Sequence, residues 1–345
     1  MRRAIALATL IATLVLIPAA QGATPRSFYG VIPNGDPDTA QIARMGAGDV
    51  GTLRINLAWG QVQSGPNAPL DRSHYDAIIG QAAENGIRIL PTIYSTPLWA
   101  APKVNYPPPQ AYIGQYRNFV REAAARYGNN GIFWTLHPLT PKVPVTDWQL
   151  WNEVNSPNFW GPKPNPRQYV DLLRVTHDAI DSADPSARII LAGLFPTPRI
   201  RNGIFLSKYL PRLYKLGARG LFDAAALHPY ATTPQGVITA LRAVRQIMSR
   251  FKDGSKPIWI TEVGWATGGA RTPLTVTPRR QAAYLRKTYK LTAANRKRMH
   301  IAGVVWFSLQ DLSTSIWFDH TGLFTASGQA KPSWKAFVSL TGGTP

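Results

Sequence analysis

The run QLWNEVNSP (149–157) closes an apolar, tryptophan-bearing stretch with Glu153, and IWITEVGWA (258–266) does almost the same with Glu262. The chain is poor in acid, with 18 Asp and Glu against 38 Lys and Arg. A carboxylate at the end of a hydrophobic run loses hydration and fills no packing role, so each needs another reason to be there. Working outward from the two runs, short apolar stretches recur at Phe28–Ile32, Thr52–Leu57, Arg88–Ile93, Asp147–Trp151, Arg188–Ala192, Ala224–Leu227, Pro257–Thr261 and Ile301–Phe307. They do not alternate cleanly, as expected of strands covered on both faces. Between them lie stretches of helical period: Ser73–Asn85, Gln110–Tyr127, Pro166–Asp181, Phe205–Leu216, Gly236–Phe251 and Pro278–Ala294, with shorter candidates at Asp38–Met45 and Ser333–Leu340. Gly86, Gly128 and Gly217 stand just past three of them, and Pro166 and Pro278 suit first turns. This alternation predicts a single-domain α/β protein, a (β/α)8 TIM barrel spanning 27–341. An open doubly wound sheet is the runner-up, and it lacks a glycine loop for phosphate after the first strand.

Composition sets further bounds. The 345 residues are 45% hydrophobic, enough for a large core. Residues 1–22 read as a secretory signal peptide: a basic Met1-Arg2-Arg3, an apolar run from Ala4 to Ile17, and small residues at Ala20-Gln21-Gly22. The apolar run is shorter than the roughly 20 residues of a membrane span. Export to the extracellular space, periplasm or cell wall is the expected localisation, with no stable membrane span once the leader is removed. There is no cysteine, which excludes disulfides, thiol catalysis and thiolate metal sites. The formal charge of +20 is scattered along the chain, with Asn295-Arg296-Lys297-Arg298 as its densest cluster. No nucleic-acid motif accompanies it, so no nucleic-acid partner is expected, and an anionic glycan is the partner such charge would favour.

In a barrel, reactive groups sit at the C-terminal ends of strands, where both glutamates fall, after the fourth and seventh. Opposed carboxyls over one bond suit glycoside hydrolysis, which needs one protonated and one ionised. A single strand-end glutamate is ordinarily a surface ion-pair partner. Two at matching ends, embedded in Trp and Asn or Gly, point to a working pair. His137, His177 and His300 lack companions at metal-ligand spacing, so no metal and no cofactor are expected. Ser95 has no His–Asp set around it. Trp99, Trp160, Trp265 and Trp317 follow strands and are candidates either for sugar stacking or for core.

Trp151-Asn152-Glu153 and Thr261-Glu262-Val263-Gly264-Trp265 resemble the two signatures of the clan A retaining glycoside hydrolases. The resemblance implies Glu153 as acid/base, Glu262 as nucleophile, and Asn152 as partner of the sugar 2-hydroxyl. It implies likewise that Arg54 orients the nucleophile, that His228-Pro229-Tyr230 brings Tyr230 beside it, and that Trp306 floors the bound sugar. Leu53-Arg54 with Trp59, Pro97-Leu98-Trp99-Ala100 and Arg126-Tyr127-Gly128 through Trp134 resemble the family 39 branch, with family 5 as the close alternative. The added β-sandwich of family 39 xylosidases and iduronidases has little chain to occupy after Leu340. The expectation is a secreted retaining β-glycoside hydrolase that cuts within a polysaccharide or oligosaccharide. The alternatives are a barrel that binds glycan without cleaving it and a transglycosylase acting on cell-surface polysaccharide.

Overall fold

A computed structural model describes residues 23–197 and 200–345. The expected leader over 1–22 lies outside the described residues. Eight parallel strands close into a barrel in sequence order: β1 (Tyr29–Ile32), β2 (Thr52–Ala58), β3 (Arg88–Tyr94), β4 (Asp147–Leu150), β5 (Arg188–Leu194), β6 (Ala224–Leu227), β7 (Ile258–Val263) and β8 (Ile301–Phe307). The ring closes where Tyr29 to Ile32 pair with Val304 to Phe307. Around it run α1 (Thr39–Ala47), α2 (Trp59–Val62), α3 (Ser73–Glu84), α4 (Ile113–Tyr127), α5 (Ile132–Leu136), α6 (Pro166–Ala183), α7 (Leu206–Lys215), α8 (Pro234–Arg250), α9 (Pro278–Ala294) and α10 (Pro332–Thr341). No described helix is long and apolar enough to cross a membrane.

Local chemistry accounts for the ends of these elements. Asn165, Thr233 and Thr277 each cap a helix whose next residue is proline, so α6, α8 and α9 share one entry design. α8 therefore starts at Pro234, two residues before the start its apolar period suggests. Asp38 and Gln41 close a capping box on α1. The proline-rich section 129–145 holds α5, whose Trp134 indole donates to the carbonyls of Tyr127 and Gly128 at 3.2 Å each. It precedes β4 and belongs to the end of the barrel away from the strand tips.

The core has two layers, set by strand parity. Ile32, Leu90, Ile190, Ala224, Ala226, Trp259 and Val305 fill the barrel interior. A much larger cluster, including Val304 and Trp306, packs between strands and helices. Because side chains alternate along a strand, the residues two steps beyond the interior set point the same way, toward the mouth. On the strands those residues include Thr92, Ala192, Thr261 and Phe307, and with His228 just past β6 they turn the apolar interior into a polar, aromatic-edged site.

Candidate active site

Arg54 starts on β2 inside the barrel and is 1% exposed. A buried guanidinium must be paired and fully hydrogen-bonded. Its Nη1 donates to Glu262 Oε1 at 2.8 Å, its Nε to Gln149 Oε1 at 2.8 Å and its Nη2 to Asn152 Oδ1 at 3.0 Å. The last contact fixes the Asn152 amide: its oxygen is taken, so its NH2 group is left to donate into the site. Tyr230 donates its hydroxyl to Glu262 Oε2 at 2.9 Å. Glu262 thus has a donor on each oxygen.

The β4 end is shaped by the backbone. Trp151 and Glu153 take φ of 67° and 37°, the left-handed region that bulky residues avoid. β4 consequently stops at Leu150, one residue before its apolar run ends. The turn is held by the Trp151 indole donating to Phe159 O at 2.5 Å and by edge-on packing against Tyr94 and Trp160. It delivers Glu153 to the barrel axis. On β7, the pairing with β8 shifts register between Ile260 and Val263, the stretch that carries Glu262.

His228 lies fully buried between the two carboxylates. Its Nδ1 stands 2.8 Å from Glu153 Oε1 and 3.5 Å from Glu262 Oε2, and its Nε2 stands 3.0 Å from Thr261 Oγ1. Gly193 makes room for the ring, since a Cβ there would stand 2.0 Å from Nε2. Hydrogen bonds from neighbouring strands hold the ring in place. Gln149 Oε1 accepts from Arg54, so its NH2 group faces Thr261 Oγ1 at 3.3 Å. Thr261 accepts there, and because an ionised carboxylate can only accept, the His228 Nδ1 facing Glu153 is the donor whenever Glu153 is ionised.

The two carboxyls are pushed apart in acidity. Burial raises the Glu153 pKa, the nearby Glu262 charge adds to this, and the His228 hydrogen bond pulls the other way. Burial alone would also raise Glu262. The facing His228 and the Arg54 guanidinium, with hydrogen bonds from Arg54 and Tyr230, outweigh it and hold Glu262 below the usual carboxylate value. Burial and the Glu262 charge keep the Tyr230 hydroxyl protonated far into alkali, so it remains a donor.

A cavity of about 560 Å³ opens over this group. Arg54, Asn152, Glu153, Tyr230 and Glu262 line it, together with Trp317. His228 touches both carboxylates from beneath. The other tryptophans behave differently. Trp306, expected as the floor of the sugar site, is fully buried on the helix-facing side of β8, its indole donating to Thr321 O at 3.0 Å. Its neighbour Phe307 has the inward parity and lines the cavity instead. Trp160 is fully buried behind the β4 turn against Trp151 and Tyr169. Trp265 is fully buried, bonded to Ala231 O and packed on Tyr284. Trp99 packs edge-on to Trp59 and Tyr112 and donates to Gln63 O, outside the cavity lining. Rings that large at strand ends fill the layer between sheet and helices unless parity turns them inward.

Sequence reasoning missed several contributors. Gln149 and Thr261 orient the charged groups, and parity on their strands is the signal that finds them. Asn34, Asn56, Tyr94, Phe159 and Phe195 line the cavity, and Asn56 is exposed at its mouth. Glu153, His228 and Glu262 also bring three ligand atoms within 4.8 Å of one another, a grouping that reading histidine spacing alone overlooks. They could hold a cation, although Arg54 already supplies positive charge at 2.8 Å from Glu262.

No protein-family model matches the sequence, and no curated protein is similar to it. Among solved structures, a family 39 glycoside hydrolase from the gut symbiont Bacteroides cellulosilyticus superposes with a TM-score of 0.69 at 20% identity, over 91% of this chain and 63% of the other. A family 39 β-xylosidase from Caulobacter crescentus gives 0.66 at 17% identity, over 92% and 72%. A family 5 subfamily 18 protein from Bifidobacterium longum, solved with Manβ1-4GlcNAc, gives 0.64 at 17%, over 91% and 78%. The structural neighbours are thus clan A glycoside hydrolases, and at these identities the likeness is one of fold. The chain spans less than two thirds of the first of them.

Proposed function

We propose that the protein is a retaining β-glycoside hydrolase working by double displacement. One observation carries this: oxygens of Glu153 and Glu262 lie within 4.8 Å of each other, around His228. Retention calls for carboxyls about 5–5.5 Å apart, whereas inversion needs roughly 6.5–9.5 Å to admit a water. Glu262, kept ionised, attacks the anomeric carbon while Glu153 gives its proton to the departing oxygen. The sugar is then held as an ester on Glu262, whose charge has gone. Glu153, now ionised and no longer opposed by that charge, takes a proton from water, which attacks the anomeric carbon and frees Glu262. The Asn152 NH2 group donates to a sugar hydroxyl, a contact that tightens as positive charge develops on the ring.

A neutral sugar fits this site best. Arg54 is the one basic residue among the described residues lining the cavity, and its charge is committed to Glu262. The excess positive charge of the chain lies elsewhere. Endo-action on a long polysaccharide calls for an open groove lined by Trp99, Trp160 and Trp317, and of these three only Trp317 lines the cavity. Export through the leader over 1–22 remains part of the proposal. The test is hydrolysis of a panel of β-glycosides with NMR detection of the first anomer formed. A retained product lost on Glu262→Ala supports the reading. An inverted product, or full activity in that variant, refutes it, and transfer to an added sugar would place the protein among transglycosylases.

A further inference from the structure

The walls of the cavity divide by chemistry. Asn34 just past β1, Asn56 on β2 and Asn152 just past β4 are polar lining residues. Beside Glu153 the wall is Tyr94, Phe159, Phe195 and Ile200. Phe195 is pinned because Asn155, just beyond Glu153, donates to its carbonyl at 2.7 Å and accepts from its amide at 3.2 Å. From Phe195 the aromatic wall continues through Tyr230 (6.2 Å between centroids) and Trp317 (5.8 Å) to Phe318 (5.8 Å). At its rim, Ile200 is 43% and Phe318 42% exposed. The same two loops, after β5 and β8, also expose Phe205, Leu312 and Ile316.

We propose that the Glu153 side of this cavity is a binding site for an apolar leaving group, an aryl or long-chain alkyl alcohol in glycosidic linkage. The proposal rests on the glycosidase reading above, because the group next to the proton donor is the one that departs. Large apolar side chains gathered and exposed at one mouth mark a ligand site rather than ordinary surface. A sugar in that position would bring hydroxyls that need partners, and one left unpaired against apolar wall is costly. Among the described residues, Ser156, Asn158 and the Tyr94 hydroxyl are the polar side-chain groups on that wall, and the Ser156 hydroxyl already accepts from the Asn158 backbone amide at 3.4 Å. Aromatic faces can stack on sugar C–H groups, but Ile200 and the aliphatic rim offer no such face. An apolar alcohol loses water at every contact and leaves nothing unpaired.

The test compares octyl with methyl glycosides of one sugar, drawn from glucosides, galactosides, mannosides and xylosides, with the octyl compound below its micelle concentration. The two alcohols leave with similar intrinsic ease, so their ratio reads the apolar contact. Calorimetric binding to the Glu262→Ala protein gives affinity without turnover, and wild-type kcat/KM gives the same preference during reaction. Octyl should be favoured by about tenfold or more, given the transfer energy of its methylenes. The ratio should fall toward unity in Ile200→Ser, whose exposed position spares the fold. Equal affinity for octyl and methyl glycosides, no binding of either, or preference for a disaccharide of the same sugar overturns the proposal. Octyl-selective binding without hydrolysis supports the apolar site and sinks the glycosidase reading, and hydrolysis without octyl selectivity does the reverse.

Discussion

Thr261 Oγ1 stands 3.0 Å from His228 Nε2, and this contact holds the ring with its other nitrogen facing the proton donor. The charged groups around the ring are Glu153 from the end of β4 and Glu262 from β7, with Arg54 of β2 behind Glu262. Facing the carboxylate with Nδ1, His228 donates to ionised Glu153 and favours that form, which the second half-reaction needs. Thr261→Val removes the lock. Losing a hydrogen bond to a charged group, about 1.5–3 kcal/mol, predicts a fall in kcat of tenfold or more. The alkaline limb of the kcat/KM profile should also move to higher pH, because ionised Glu153 has lost a donor. Thr261→Ser should restore both. A Thr261→Val enzyme with an unmoved limb would refute the relay.

The opposed shifts of the two glutamates give the pH profile its sign. Activity requires ionised Glu262 and protonated Glu153. It should rise as pH passes the Glu262 value, which is depressed, and fall as pH passes the Glu153 value, which is raised. The optimum therefore lies between the two. Glu153→Gln should lose the alkaline limb and about 10²–10⁴-fold in rate on substrates whose leaving alcohol needs protonation. Initial rates across the pH range decide this, and a limb that survives in Glu153→Gln belongs to another group.

Arg54 tests the cost of charge inside the barrel. Arg54→Met leaves the Glu262 carboxylate buried without its ion partner, and breaking such a pair costs about 3–5 kcal/mol. Urea unfolding should report a loss of that size at neutral pH. Adding Glu262→Gln should recover part of it, since the stranded charge is then gone, although activity stays lost. Equal stability of Arg54→Met and wild type would mean that the carboxylate finds another cation.

Much of this molecule was legible in its sequence, and what was not has a common cause. Apolar runs and helical periods place the eight strands, because burial on both faces and capping chemistry are local. The pair Glu153 and Glu262 could be picked out because carboxylates at strand ends have no packing role to confuse them, whereas Arg54, Asn152 and Tyr230 were reached through the resemblance to clan A signatures. Tryptophan is different: Trp306 and Phe307 are adjacent, both apolar, and only side-chain parity decides which meets the cavity. Parity in turn depends on where a strand starts and whether it bulges, as β7 does beside Glu262, and neither is written in composition. Gln149 and Thr261 were passed over for a second reason. Their work is done through partners on other strands, at separations of 95 and 33 residues, which only the closed barrel brings together.

Parity also makes the last prediction. Trp306 is fully buried between β8 and the helices, and Phe307 lines the cavity beside it. Trp306→Ala should cost about 3–5 kcal/mol by opening a large void in the outer layer. Its KM in the surviving folded fraction should change little. Phe307→Ala, at a half-buried position, should cost less stability and raise KM instead. Paired urea titrations and kinetics on the two variants separate the cases. A Trp306→Ala protein that keeps its stability and loses substrate would return the sugar floor to the tryptophan.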